Sequence, residues 1–583
     1  MKKKIVIIGG VAGGASAAAR LRRLDEQSEI ILFERGPHVS FANCGLPYYT
    51  GGKIADRDKL ELLTPEDFYD HFFVDVRVRE EVLSVNRGGG TVTVKSHNTG
   101  KTYTENFDIL VLAPGAEPIQ PNIEGINLNG VFSLRTIPDA MKIREYIDNT
   151  RPASAAVAGG GATGIEMAEN LLDAGIKVTI VETLDQLISP IDYEMACIVH
   201  RYLESRGVKL ILKNRVESIA ENDGALKISL TDGAIQTDML IMAVGVRPES
   251  DLARAAALEL NERGGIVVGP DMCTSDPRIY AVGAAVETND FVTSRRLSAA
   301  LAGPANKQGR IAAGSICGLG ENYRGIQGSA ILKIFDMAAA STGINEKTAK
   351  KLSLDYDKSY TFSPSHAEYY PGAREMAVKI IYGKKDGKLL GAQIVGFEGV
   401  DKRCDVFATA IHGRMTVSDL GELELCYAPP FSSAKDPVNV AGFTAENALR
   451  GRVRNFHWHD VRNLPRDGSV QLVDVRDARE YAGGNINGFI NIPLDNIRDS
   501  ITELNKNKPV YICCRTGMRG YIASRILAQY GFEVYNLSGG CLLYNTVYPA
   551  PAAASAEIFP CRKPGTAQLH AMSRERPAHA SRY

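Results

Sequence analysis

The chain has 583 residues, with 67 basic side chains against 68 acidic ones, and 44% hydrophobic content. That length implies three to five domains at ~100–200 residues each, and the composition excludes wholesale disorder. A formal charge of −1 gives no global reason to bind nucleic acid or an anionic membrane. No run approaches the ~18 apolar residues of a membrane helix. The apolar stretch after Met1-Lys2-Lys3-Lys4 is too short for a secretory leader, so a soluble, cytoplasmic protein is expected. The 10 Cys include no CxxC pair and no Cys/His cluster at metal spacing. Neither a disulfide scaffold nor a metal is expected, and most of these thiols read as small buried hydrophobes.

Residues 5–8 (IVII) predict a strand that runs into Gly9, Gly10, Val11, Ala12, Gly13 and Gly14, followed by a helix over 15–24. A second strand over 30–33 ends at Glu34. This is the pattern of a βαβ dinucleotide turn. Glycines let the backbone approach a pyrophosphate, the helix N-terminus faces it, and the acid accepts ribose hydroxyls. Val11 stands where the pattern has its middle glycine. A cleaner copy follows: a strand over 155–158, then Gly159, Gly161 and Gly164, a helix to 172, and a strand over 177–181 ending at Glu182. Glu182 should accept a ribose diol and repel a 2′-phosphate, favouring NADH over NADPH. Two such turns on one chain predict one bound flavin, FAD, and one diffusible nicotinamide, NAD(P)H. Segments 110–115 (LVLAPG) and 240–245 (LIMAVG), ending at Gly115 and Gly245, read as strand-to-loop crossings back to the flavin domain.

Segment 274–284 (TSDPRIYAVGA) resembles the late flavin-binding segment of the glutathione reductase superfamily. There a carboxylate follows the glycine; here Gly283 is followed by Ala284, and a methyl cannot make charge-assisted contacts. Segment 40–49 reads SFANCGLPYY. Disulfide reductases of that superfamily carry two cysteines five apart in this region, and Tyr49 stands at the second position. Cys44 must therefore act through a sulfenate or a mixed disulfide. The peroxide and oxygen reductases carry a histidine in the first glycine turn, which this chain lacks.

The stretch SxxNCGLPYxxGG over 40–52 is similar to coenzyme A-disulfide reductases and their NADH-dependent persulfide-reductase relatives. Segments 366–372 (HAEYYPG) and 425–430 (LCYAPP) agree, and the resemblance extends to about residue 550. It implies a homodimer in which Tyr369 and Tyr427 reach from one subunit to the substrate sulfur of the other. It also implies that Ser40 and Asn43 orient the substrate and that Arg20 and Arg23 meet coenzyme A phosphates. Coenzyme A would be substrate or bound ligand.

Strands over 330–334, 376–381 and 389–395 with a helix over 400–415 suit an α+β interface domain. Past a seam at 457–460, a strand over 470–473 and another over 510–513 lead to residues 514–519 (CRTGMR) and a helix over 520–530. This arrangement aims backbone N–H groups at Cys514, while Arg515 and Arg519 add positive charge; all three favour the thiolate. The loop resembles the C-R-x-G-x-R loop of rhodanese domains, whose cysteine carries a persulfide. Asn485 stands where that family often has histidine. Cys513 reads as inert core.

The expected fold is α/β. A FAD-binding domain (1–112 and 246–325) is interrupted by an NAD(H)-binding domain (113–245). A dimerisation domain (326–450), a rhodanese domain (459–548) and a disordered tail (549–583) follow. The expected activity is NAD(P)H-dependent, flavin-mediated reduction of coenzyme A disulfide, coenzyme A persulfide or polysulfide at Cys44, with Cys514 handling sulfane sulfur. Three alternatives remain open: an NADH oxidase using a Cys44 sulfenate, a sulfurtransferase with a flavin-impaired reductase half, and a noncatalytic binding module.

Overall fold

The computed structural model describes residues 2–549; the expected tail from residue 550 onward, with Cys561, lies outside them. Four five-stranded sheets organise the chain. The first runs Ile279–Ala281, Ile109–Leu112, Lys4–Ile8, Glu29–Glu34, Asp75–Val78, all parallel. Its edge strand comes from far along the chain, so the first dinucleotide unit is discontinuous in sequence. The second sheet is also parallel: Lys209–Ile211, Lys177–Val181, Ser154–Ala158, Met239–Met242, Val131–Ser133. Their strands read as apolar runs because both faces are buried. In the second sheet one face packs on helices Ala162–Asp173 and Tyr193–Ser205 and the other on the antiparallel sheet Val216–Asn222, Ala225–Leu230, Ala234–Thr237. The core of the first likewise takes in Val82, Val85, Val92 and Val94 of a second antiparallel sheet. An antiparallel pair, Ala116–Pro118 with Val246–Pro248, ties the two crossings between these units together.

The helix after the first glycine turn spans Ala12–Leu24, so Gly13 and Gly14 lie inside it rather than before it. It packs on helix Ala302–Ile316 at very short range: a Cβ on Gly309 would fall 2.3 Å from the Gly13 carbonyl oxygen. Small residues on both helices allow that approach.

The third sheet is antiparallel, in the order Ala330–Ile334, Met337–Gly343, Leu389–Gly396, Glu375–Gly383, Tyr356–Pro364. Helices Val400–His412, Val417–Glu422 and Pro437–Leu449 accompany it. The fourth sheet is parallel: Arg454–Phe456, Val534–Leu537, Val510–Cys513, Gln471–Asp474, Ile490–Asn491. It does not hang free. Leu543 and Trp458 share a core with Phe335, Tyr360 and residues of helix Tyr193–Ser205, and Ser538 Oγ accepts from Tyr360 N at 3.3 Å. Among the described residues, no helix is long and apolar enough to cross a membrane.

Candidate active site

Both glycine turns use one steric device. Gly9 has φ +96°, and a Cβ there would lie 2.2 Å from the Ala113 oxygen; Gly159 has φ +112° and the same distance to the Ala243 oxygen. At Gly14 and Gly164 an added Cβ would fall 1.9 and 2.0 Å from the carbonyl oxygens of Gly9 and Gly159. Each helix therefore packs directly on its own strand end. Gly161 has nothing within 4 Å, leaving its backbone open to a ligand, whereas Val11 lines the first cavity at the matching position. Neither helix has a side-chain cap or an acidic residue in its first turn, in contrast to the Thr capping boxes of Pro65–Phe72 and Ile137–Thr150. The first-turn N–H groups of helices Ala12–Leu24 and Ala162–Asp173 are therefore left for an anion.

The acids at the second strand ends are held alike. Glu34 accepts from Gly10 N (3.0 Å) and Gly36 N (2.9 Å). Glu182 accepts from Gly160 N (2.6 Å) and Leu184 N (2.8 Å). Around the first turn lies a cavity of about 690 Å³ lined by Gly9, Ala12, Gly13, Glu34, Gly115 and Gly283. The same cavity contains Cys44, Ser40, Asn43, Arg20 and Arg23. A second cavity, of about 780 Å³, is lined by Gly159, Gly161, Glu182 and Gly245. Both are of ligand-binding size.

Cys44 sits in the short turn Asn43–Gly45, at the N-terminal side of helix Leu46–Thr50, and is solvent-exposed on its outer side. Ser40 is held at φ +48°, with Ser40 N donating to the Gly10 carbonyl at 2.8 Å. This bond clips the cysteine segment to the glycine turn. Enclosure by the cavity walls pushes the Cys44 thiol above its ordinary value; Glu166 adds to the rise and Arg135 opposes it. Arg20 Nε is buried without a hydrogen-bond partner, and the Arg23 guanidinium lies 5.8 Å from the Phe72 ring centroid.

The hydroxyls of Tyr369 and Tyr427 meet at 2.8 Å, on side chains 75% and 48% exposed. They do not line the cavity of their own chain's Cys44. Beneath them, the fully buried Arg403 donates to the Ser365 carbonyl (3.0 Å), Ser432 Oγ (3.1 Å) and Asp436 Oδ2 (3.0 Å). It thereby joins the two loops that carry the tyrosines.

Cys514 follows strand Val510–Cys513 and is 1% exposed. Its sulfur accepts from Gly517 N (3.1 Å) and Gly520 N (3.2 Å), at the start of helix Met518–Gln529. Burial raises the thiol above its ordinary value, and the Gly520, Gly517 and Thr516 N–H groups oppose that rise and favour the Cys514 thiolate as expected. Arg515 and Arg519 do not offer free positive charge to a substrate. Arg515 grips Glu375 through both nitrogens (2.6 and 2.5 Å) and Arg519 grips Glu480 likewise (2.6 and 2.8 Å).

The pyridine nucleotide-disulphide oxidoreductase model matches residues 3–309, its dimerisation domain 329–437, and the rhodanese-like domain 457–545. The chain belongs to the pyridine nucleotide-disulphide oxidoreductase family. It is 48% identical to the reduced CoADR-RHD of Bacillus anthracis, with a TM-score of 0.92 over 94% of this chain and 99% of that one. A NAD-dependent persulfide reductase from A. fulgidus is 36% identical, with a TM-score of 0.86 over 94% of this chain and all of the other. The coenzyme A disulfide reductase of Staphylococcus epidermidis is 35% identical over 445 residues, 76% of this chain and 100% of that protein.

The chain is thus a FAD- and NAD(P)H-dependent disulfide oxidoreductase with a rhodanese domain. The glycine cradles, uncapped helix ends and pinned acids fit two dinucleotides. FAD would be held by the Gly9–Gly14 turn, Glu34, Gly115 and Gly283, and the nicotinamide dinucleotide by Gly159, Gly161, Glu182 and Gly245. Ala284 lines the first cavity and supplies no carboxylate there, while Gly283 N is taken by Gln308 Oε1 (2.8 Å).

Two charged residues near Cys44 carry no local sequence signal. Arg135 lines the first cavity, and its Nη1 lies 3.1 Å from the Asn43 side-chain amide, whose oxygen accepts from it when the amide is turned to satisfy both neighbours. Glu166 comes from helix Ala162–Asp173 of the second unit, where burial and then Glu169 raise its carboxyl to about 7. A third residue departs from expectation: Cys426, read as packing, is exposed next to Tyr427, whereas Cys513 is buried. Among the described residues, two compact groups of possible metal ligands occur, Asp474/Cys513/Cys541 and Asp192/Glu194/Glu346, and their carboxylates are paired with cations of the protein. Arg476 is bidentate to Asp474, Nε to Oδ1 and Nη2 to Oδ2, and Lys379 Nζ lies within 2.8 Å of all three carboxylates of the second group.

Proposed function

We propose that this protein is a cytoplasmic, homodimeric reductase of coenzyme A persulfide and disulfide, using NADH, and that its rhodanese domain feeds it sulfane sulfur. The observation that carries the reading is that one cavity contains Cys44, the first dinucleotide turn, Arg20 and Arg23. FAD bound there supplies a two-electron path from nicotinamide to sulfur. The Cys44 thiolate attacks the inner sulfur of coenzyme A persulfide. The S–S bond breaks, hydrosulfide leaves, and a Cys44–coenzyme A mixed disulfide forms. Two electrons and one proton then return Cys44 as thiolate and free the coenzyme A thiol.

The Arg20 guanidinium, with its Nε unpartnered, and the exposed Arg23 suit the phosphates of the coenzyme. Ser40 and Asn43 fix the cysteine turn against the glycine turn. The exposed Tyr369–Tyr427 pair, which does not line its own chain's cavity, suits delivery to the other subunit's Cys44, where the paired hydroxyls hold the proton for the departing thiol. Glu182 favours NADH.

Cys44→Ser tests the reading: NADH-dependent turnover of coenzyme A persulfide should vanish while the flavin spectrum stays. Full turnover in that variant would reject it. Ala284 favours a second reading, a sulfurtransferase with an impaired reductase half, which requires a purified protein without flavin absorbance. An NADH oxidase is disfavoured by the absence of histidine from the first glycine turn and would consume oxygen without any sulfur substrate.

A further inference from the structure

We propose that Glu375 makes the Cys514 loop selective for thiol persulfides and against the thiosulfate dianion. The inference rests on the reading of Cys514 as a sulfane-sulfur carrier and adds which class of donor loads it.

A rhodanese-type loop faces its donor with backbone N–H groups and whatever charge flanks the cysteine. Here Gly517 N and Gly520 N point at the sulfur, and the flanking charges are Arg515 and Arg519. Each guanidinium is held fork-to-fork by a carboxylate, the geometry that gives the strongest side-chain ion pairs. Glu480 belongs to the same domain as Arg519 and doubles as a member of the capping box of helix Ala478–Ala482. Glu375 is different. It is the first residue of strand Glu375–Gly383, in the sheet of the dimerisation domain, and it reaches across a domain boundary to take Arg515. Both members of that pair are largely enclosed, at 30% and 16% side-chain exposure, so solvent screens it less than a surface pair.

The four side chains around the loop sum to zero formal charge. A dianionic donor gains no net attraction and must displace a tethered carboxylate to reach Arg515. A persulfide needs neither. In loading by a persulfide, the Cys514 thiolate attacks the outer sulfur, the donor S–S bond breaks, and the donor thiolate leaves with the electron pair. In loading by thiosulfate, the same attack expels sulfite, whose double negative charge is the one Arg515 would have to stabilise.

The test uses the full-length protein and measures thiocyanate formation from cyanide, with thiosulfate or the persulfide of 2-mercaptoethanol as donor. Glu375→Gln keeps the shape of the side chain and releases the Arg515 charge. Thiosulfate kcat/KM should rise about tenfold, the worth of one charge-assisted hydrogen bond, mainly through a lower KM that climbs again with salt. The persulfide kcat/KM should stay within about twofold, below the effect of losing one ordinary hydrogen bond. Glu375→Asp, which retains the charge, should keep thiosulfate activity low. Unchanged thiosulfate kinetics in Glu375→Gln overturn the proposal. So does an equal rise with both donors, which would mean that Glu375 restricts access rather than charge, or an equal fall with both, which would mean a structural role. Cys514→Ala separates the underlying reading: activity surviving in that variant removes Cys514 as carrier, whatever Glu375 does.

Discussion

Arg403 and Asp436 meet at 3.0 Å in an enclosed site, both at most 3% exposed, directly beneath the loops that hold Tyr369 and Tyr427. The Ala367 N–H, which donates toward the Pro429 and Ser432 carbonyls, closes the same gap from the other side. A buried guanidinium with several oxygen partners is hard to replace, because removing it strands a carboxylate in a poorly solvated place. Arg403→Met should lower unfolding stability by about 3–5 kcal/mol, read as a fall in the urea midpoint. Arg403→Lys, which restores charge but not the fork, should recover only part. A midpoint unchanged in Arg403→Met would show that the loops do not depend on this residue.

The two dinucleotide turns can be disabled separately. A methyl on Gly164 meets the Gly159 carbonyl and one on Gly14 meets the Gly9 carbonyl, both near 2 Å, far inside van der Waals contact. Gly164→Ala should keep flavin absorbance and lose its bleaching by NADH. Gly14→Ala should be purified without flavin. The opposite assignment of phenotypes would reverse the two sites.

Glu166 sets a pH dependence. Its carboxyl titrates near 7 in the folded chain, raised first by burial and then by Glu169. An unfolded glutamate titrates near 4.3. Between those values the native state binds more protons than the unfolded one, so stability falls as pH rises through that window. Below it both forms are protonated and the penalty disappears. Glu166→Gln should therefore match the parent at pH 4 and exceed it at pH 8, by up to about 4 kcal/mol. Loss of the charge should also move Cys44 alkylation to lower pH, since Glu166 raises that thiol. Parallel stability curves for the two proteins would remove the assignment.

What the sequence made legible was short-range. The glycine turns, the single cysteine of the Asn43–Gly45 turn and the 514–519 loop each spell their geometry within a few residues. Elements set by distant partners were not legible. Strand Met337–Gly343 (MAAASTG) has little intrinsic strand preference and is extended because strands pair with it on both sides. Helix Pro437–Leu449 opens with the Asp436 cap and Pro437, a start signal that reads equally well as a turn. The partner of Arg515 lies a whole domain away. No local pattern at 514–519 distinguishes an arginine that waits for a substrate from one already bound to Glu375.

The junction of the second, third and fourth sheets supplies a last prediction. Lys379 is 0% exposed and lies 2.8 Å from Asp192, 2.5 Å from Glu194 and 2.8 Å from Glu346. Burial works against its charge, but Glu194, Tyr360, Asp192 and Glu346 together hold its ammonium well above the usual lysine range. In return, although burial favours the neutral acid, Lys379 and then Lys358 hold Glu346 below the usual carboxylate range. A depressed carboxyl contributes stability above its unfolded value, and that contribution is lost as pH falls toward its folded one. Lys379→Met inverts the sign. The three carboxylates then face one another with the largest counter-charge gone, their affinity for protons rises above that of the unfolded chain, and acid relieves them. The variant should lose about 3–5 kcal/mol at pH 7 and regain part of it at pH 5, where the parent gains nothing. Denaturant unfolding at the two pH values measures this directly, and a deficit equal at both would show that the cluster is not held by the lysine charge.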